Sequence, residues 1–287
     1  MRKGLSLVAI ACVVGCAAPR RDDGGGGGDD EPGTDGGTTG GECADGTELV
    51  YTIDQLDGRL STFDPSTKTF HDLGPLSCPT MFGATPFSMS VDRAGNAWVL
   101  YNSGELFKVG IQGLGCQKLT WTPPSGLKVF GMGFSTDSAG GDAESLFIGG
   151  GLTQTQTSYI LARVDPNTMT ATTFGSQPQL PEMTGNGNAE LWGFMPEATT
   201  ARVVQFDKTS GAVITTYQQP TLGGTNTAYA FAHWGGDYWV FLQRNAETNT
   251  TVYQVNGMTG AITSMTPAAG HTVVGAGVST CAPVILL

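Results

Sequence analysis

The chain is poor in basic residues, in histidine and in every motif that usually announces chemistry. Lys and Arg number 14 against 25 Asp and Glu in 287 residues, a formal net charge of −11. No basic run interrupts that excess, and phosphate binding needs clustered positive charge, so nucleic acid is not an expected partner. Histidine occurs only at His71, His233 and His271. There is no CxxC pair and no Cys/His cluster at metal-ligand spacing, so neither a metal nor a cofactor is expected. The chain also lacks a G-x-S-x-G elbow, H-E-x-x-H, a P-loop, and a G-x-G-x-x-G between strand and helix. Gly149-Gly150-Gly151 follows an apolar run but leads into polar residues 153–158, which read as a loop and not as a phosphate cradle.

Long apolar runs are absent too. Arg2 and Lys3 precede an uncharged stretch, residues 5–15, that is too short to span a bilayer stably and has the charged-then-apolar layout of an export signal. It ends in Val13-Val14-Gly15-Cys16, which resembles the lipobox of bacterial lipoproteins. That resemblance implies cleavage before Cys16, lipidation of its thiol with an amide-linked acyl chain, and anchorage in the cell envelope. Ala17 in place of Asp favours the outer membrane by the usual sorting rule. The alternative is an ordinary secretory signal with Cys16 incidental; the chain is exported on either reading. Residues 16–42 carry Asp22-Asp23, five consecutive glycines and Asp29-Asp30-Glu31, with no aromatic residue. Such a segment cannot bury enough apolar surface to offset its ordering entropy and reads as a lipidated, disordered tether.

From residue 43 to 287 the composition is that of one folded domain, with eighteen acidic and ten basic residues. Four hairpins recur in it, each an apolar-alternating run closed by an Asp or Asn turn. The first strands of these hairpins end at Phe63-Asp64-Pro65, Val164-Asp165-Pro166, Phe206-Asp207-Lys208 and Val255-Asn256-Gly257, and Thr-rich second strands follow. Asp and Asn bond their own backbone two residues on, and Pro presets the turn dihedral. The turns are 101, 42 and 49 residues apart, so the long gap holds two units. Its missing hairpin is expected at Glu105-Leu106-Phe107-Lys108-Val109 with Gln117-Lys118-Leu119-Thr120, where the turn has diverged. A period of about 40 to 50 residues with four short strands is the pattern of β-propeller blades, and the domain length accommodates about five.

Small-residue runs such as Gly131-Met132-Gly133-Phe134 and Ala228-Tyr229-Ala230-Phe231 precede the hairpins and suit a crowded axis; in the fourth unit this strand, near Met183-Thr184, is poorly marked. At the C-terminus Val273-Val274-Gly275-Ala276-Gly277 looks like a first strand without its hairpin. Near residue 50, Val50-Tyr51-Thr52-Ile53 looks like a second strand without a first. Joining them completes one blade from both ends of the domain. That closure predicts a Cys43–Cys281 disulfide, and Cys78–Cys116 then pair by elimination. An even set of cysteines in an exported chain fits an oxidising compartment.

Val91-Asp92-Arg93-Ala94-Gly95-Asn96-Ala97-Trp98-Val99 and Leu60-Ser61-Thr62-Phe63-Asp64-Pro65 resemble repeat units of NHL-like and streptogramin-lyase-like propellers. The resemblance implies the scaffold; those repeats serve binding proteins and enzymes alike. The lyase-like members place His and acidic residues with a divalent metal near the axis, and no repeated His is present here to receive that role.

Among the candidate carboxylates Asp92, Asp137, Glu182, Glu190 and Asp237, Asp92 and Asp237 sit at turn positions, whereas Glu182 and Glu190 flank the irregular residues 183–189 and are least explained by turn chemistry. Trp98, Trp192 and Trp239 fall inside strands. His233 and Trp234, beside Gly235-Gly236, are the aromatic surface candidates. No nucleophile, base and metal converge, so the expected role is a binding or interaction module for a protein, peptide or glycan, with candidate ligand residues His233, Trp234, Glu182 and Glu190 and no assigned catalytic residue. An extracellular hydrolase or lyase on the same scaffold is the alternative, and a structural part of an envelope assembly a third.

Overall fold

A computed structural model describes residues 42–285. The signal segment 1–15, the lipidation site Cys16 and nearly all of the tether 16–42 lie outside the described residues. Apolar runs buried almost throughout in the inner strands, alternating burial in outer strands such as Val213–Gln219 and Ile262–Ala268, and the recurring turns give twenty strands in five four-stranded antiparallel sheets. Blade 1 is β20 (Val273–Gly277), β1 (Val50–Asp54), β2 (Arg59–Asp64) and β3 (Thr69–Pro75). Blade 2 is β4 (Pro86–Val91), β5 (Asn96–Tyr101), β6 (Leu106–Gly110) and β7 (Cys116–Lys118). Blade 3 is β8 (Val129–Thr136), β9 (Glu144–Gly151), β10 (Tyr159–Val164) and β11 (Ala171–Gln177). Blade 4 is β12 (Glu182–Gly185), β13 (Leu191–Met195), β14 (Ala201–Phe206) and β15 (Val213–Gln219). Blade 5 is β16 (Asn226–Trp234), β17 (Asp237–Arg244), β18 (Thr250–Asn256) and β19 (Ile262–Ala268).

The first strands β20, β4, β8, β12 and β16 contact one another in that cyclic order, which closes the ring of a five-bladed β-propeller. Blade 1 is completed as expected, β1 pairing β20 with Thr52 opposite Ala276. Cys43–Cys281 closes the same junction, and Cys78–Cys116 forms the second disulfide. Cys116 opens β7, a strand of three residues that is too short to show a period in the sequence.

All five outer hairpins turn identically. The amide of the fifth turn residue donates to the carbonyl of the first: Lys68 to Asp64, Leu114 to Gly110, Met169 to Asp165, Gly211 to Asp207 and Gly260 to Asn256, at 2.7 to 2.8 Å. That fifth residue has positive φ in every copy, from 54° at Leu114 to 71° at Gly211. In four copies the Asp or Asn side chain also accepts amides two and three residues on, as Asp207 does from Thr209 and Ser210. Blade 2 has Gly110 at that position, so its turn keeps the backbone geometry without the side-chain signature.

The core lies between blades, five apolar seams in all. Trp98, Phe130, Phe134 and Ile148 fill the seam from blade 2 to blade 3, and Phe63, Trp239 and Phe241 fill that from blade 5 to blade 1. At the axis the backbones approach so closely that a Cβ on Gly133 would lie 2.6 Å from Thr184 Cα.

Candidate functional site

The two ends of the ring differ in construction. One end carries the outer-hairpin turns, the turns from first to second strands, and the Cys43–Cys281 junction where the chain enters the domain. The other carries the turns from second to third strands and the connections between blades.

On the junction end, the strand turns are held internally. Asp92 Oδ1 accepts the Asn96 amide at 2.8 Å and Oδ2 accepts Trp98 Nε1 at 2.8 Å. Asp137 takes the Ser145 hydroxyl at 2.9 Å and pairs with Arg163, also at 2.9 Å. Asp237 accepts Gln254 Nε2 at 2.7 Å and the Gly257 amide at 3.0 Å. All three carboxylates are tied into turns, as the positions of Asp92 and Asp237 suggested.

His233 and Trp234 close β16 at this end. His233 is 5 % exposed, its amide accepted by Thr184 Oγ1, and burial pushes its pKa down to about 4, so the ring is neutral at physiological pH. Trp234 is half-buried against the seam between blades 5 and 1 and donates its indole N–H to the Glu48 carbonyl at 2.8 Å. Glu190 stands nearby, accepting Asn186 Nδ2 at 2.7 Å and Trp192 Nε1 at 3.3 Å.

Glu182 is at the opposite end of β12 and does not share a site with the other three. It opens β12, the first strand expected near Met183-Thr184, and it points into the axis, where it is fully buried. The Ser88 hydroxyl donates to its Oε1 at 2.5 Å and the Met132 amide also bonds it. Burial drives its pKa well above the ordinary carboxylate range. Among the described residues no three His, Cys, Asp or Glu side chains are grouped to hold a metal ion.

Close to Glu182, on the blade-connection end, the loops of blades 3, 4 and 5 enclose a cleft of about 360 Å³. Its walls come from loop 152–158, connection 178–181, loop 196–200 and the entry to β16, with Tyr229 between. The loop 152–158 is tied by local bonds: Thr153 N–H donates to Gln156 Oε1 at 2.8 Å, and the Tyr159 hydroxyl donates to the Gln154 carbonyl at 2.6 Å. Glu197 is matched by Arg202 at 2.6 Å, and Arg202 also donates to Gln179 Oε1 at 3.1 Å. Asn226 sits beside an irregularity in the β16–β17 ladder, and such bulges re-aim side chains at strand ends. Its Oδ1 is buried and has no hydrogen-bond partner among the described residues. Burial, with Glu182 adding to it, raises the pKa of Tyr229.

None of these cleft residues stood out in the sequence. The polar run 153–158 was visible only as a loop, and Asn226 and Tyr229 are far from it along the chain. Glu182 alone among the sequence candidates borders this region.

No protein-family model matches the chain, and no curated protein matches it. Solved structures do resemble it. A protein of unknown function from Bacteroides caccae aligns over 80 % of this chain and 97 % of its own, at 9 % identity and a TM-score of 0.45. The β-propeller domain of Myceliophteria thermophila Cps50 (Swd1) aligns over 77 % and 84 %, at 11 % identity and 0.41. A functionally unknown protein from Desulfotomaculum acetoxidans aligns over 82 % and 72 %, at 15 % identity and 0.41.

Proposed function

We propose that the protein is an envelope-anchored lipoprotein, tethered through Cys16, whose β-propeller is a binding module that recognises its ligand in the cleft of blades 3, 4 and 5. The observation that carries the reading is the cleft itself, built from loops of three blades and lined by Asn226, whose Oδ1 is buried in its wall without a donor. An unmet buried acceptor costs about 1–3 kcal/mol, which a bound ligand that donates there recovers. The chain enters the ring at Cys43, on the end opposite the cleft. Two disulfides suit a periplasmic or extracellular setting. Binding is favoured over turnover because Asp92, Asp137, Asp237 and Glu190 are committed to neighbouring side chains and backbone, and Glu182 is shut inside the axis.

Metabolic labelling with palmitate tests the anchor: label is expected on the wild-type protein and lost in Cys16→Ser. A thermal-shift panel of oligosaccharides, peptides and divalent metals on the full-length protein tests the module. A ligand at about a hundred times its dissociation constant adds roughly 2.7 kcal/mol and raises Tm visibly. A shift that survives Asn226→Leu places recognition elsewhere and defeats the cleft assignment.

A further inference from the structure

Resting on the cleft reading, we infer that the ligand of blades 3 to 5 is a neutral carbohydrate, held by side-chain amides and one tyrosine ring. The cleft presents Gln154, Gln179 and Asn226 around Tyr229, and its carboxylate, Glu197, is neutralised by Arg202. A charged ligand therefore meets no uncompensated partner there. Carboxamides carry a donor pair and an acceptor side by side, and adjacent sugar hydroxyls offer both roles in return. Tyr229 lines the cleft with its ring half-buried against Phe194, centroids 6.1 Å apart, so that only its outer part is left to meet the C–H face of a pyranose; its hydroxyl makes only a long 3.4 Å contact to the Leu180 carbonyl. Asn226 Oδ1 asks for a donor, and a hydroxyl provides one without bringing charge.

The same features argue against a peptide. Extended peptides are captured by pairing to a free strand edge or by apolar pockets for alternate side chains. The cleft is made of loops, and the strands that reach it, β10 at Tyr159 and β16 at Asn226, are already paired on the blade side with β9 and β17. Its volume lies at the small end of ligand pockets, which fits a short saccharide segment.

Calorimetric titration of the full-length protein with neutral gluco-, manno-, xylo- and chito-oligosaccharides, and in parallel with N-acetylated, amidated tripeptides, tests the inference. At least one saccharide is expected to bind saturably with an affinity unchanged between 50 and 500 mM salt, a range over which the Debye length falls about threefold. Asn226→Leu, similar in shape, should weaken it at least tenfold. Gln154→Ala, on a surface loop where its side chain bears no structural bond, should weaken it severalfold with an unaltered Tm. Saccharide binding untouched by both variants overturns the site. Tripeptide binding abolished by Asn226→Leu, with no saccharide bound, overturns the carbohydrate class and leaves the cleft standing. No binding by either probe overturns both readings.

Discussion

The Ser88 hydroxyl reaches Glu182 Oε1 at 2.5 Å across the axis, joining the first strands of blades 2 and 4 over the intervening blade 3. Burial raises the Glu182 pKa well above its ordinary value of 4.5, so the folded protein holds a proton there that the unfolded chain releases. Folding takes up that proton, and stability is fully present below pH 4.5 and declines as pH rises toward the folded-state value, by at most about 1.4 kcal/mol per pH unit. Glu182→Gln keeps the shape and one acceptor without a titrating group. The variant should match the wild type near pH 4 and exceed it at pH 7.5, by several degrees in Tm. Equal pH profiles for the two proteins would show that Glu182 is ionised in the fold.

A Cβ at Gly131 would fall on the Pro181 carbonyl oxygen and lie 2.7 Å from Glu182 Cα. Both are backbone atoms of the next blade, which cannot yield as a flexible side chain can. Gly131→Ala should therefore force blades 3 and 4 apart and cost more than about 2 kcal/mol, the range of overpacked cores. Gly113→Ala, where an added Cβ meets nothing within 4 Å, is the control and should stay within about 0.5 kcal/mol. Urea unfolding of both variants checks the contrast; similar midpoints would mean that the axis is looser than its spacing implies.

The blades were legible because turn chemistry repeats. Asp64, Asp165, Asp207 and Asn256 mark four outer hairpins, and the fifth was located by spacing although Gly110 had replaced the acceptor. The strand at Glu182 was obscure for a physical reason: it has four residues, all buried, so no alternation shows. The disulfides followed from ring closure once the two half-blades were matched. The cleft was not legible, because it is assembled from loops of three blades far apart along the chain, whose local bonds, such as that from the Tyr159 hydroxyl to the Gln154 carbonyl, leave no periodic pattern. Trp234 looked available as the end of a strand beside two glycines; its indole is instead used to fasten the residue-48 carbonyl of the incoming chain. That contact joins segments 186 residues apart, which no local pattern encodes.

The two disulfides should differ in their stabilising effect. Cys43–Cys281 spans 238 residues and Cys78–Cys116 spans 38. Loop-entropy reasoning gives on the order of 5 kcal/mol for the first and about 4 kcal/mol for the second. The first also retains the edge on which β20 pairs with β1, so its loss lets the ring open at blade 1. Cys43→Ser/Cys281→Ser is expected to lower the denaturation midpoint further than Cys78→Ser/Cys116→Ser, and to speed hydrogen exchange first in β1 and β20. If exchange instead rises evenly around the ring, closure rests on the seams and not on the crosslink.

His271 gives a second pH-dependent latch, between blades 5 and 1. Its Nδ1 lies 2.7 Å from Asp54 Oδ2, while the Thr272 amide donates to Asp54 Oδ1 at 2.7 Å and the imidazole stacks on Phe70 with centroids 4.2 Å apart. The Asp54 bond raises the His271 pKa, with Asp72 adding to it and burial and Arg59 opposing. A histidine raised by folding contributes stability that is complete below its unfolded value of 6.5 and is lost as pH rises through the folded one. Because the pair is partly solvated, the pH-dependent part should be under about 1 kcal/mol. His271→Gln removes it, so the difference in unfolding free energy between wild type and variant should be larger at pH 5.5 than at pH 8.5. The residual difference at pH 8.5 measures the stacking on Phe70 together with the neutral hydrogen bond to Asp54, and an identical difference at both pH values would mean that folding leaves the His271 pKa unchanged and that charge plays no part in the latch.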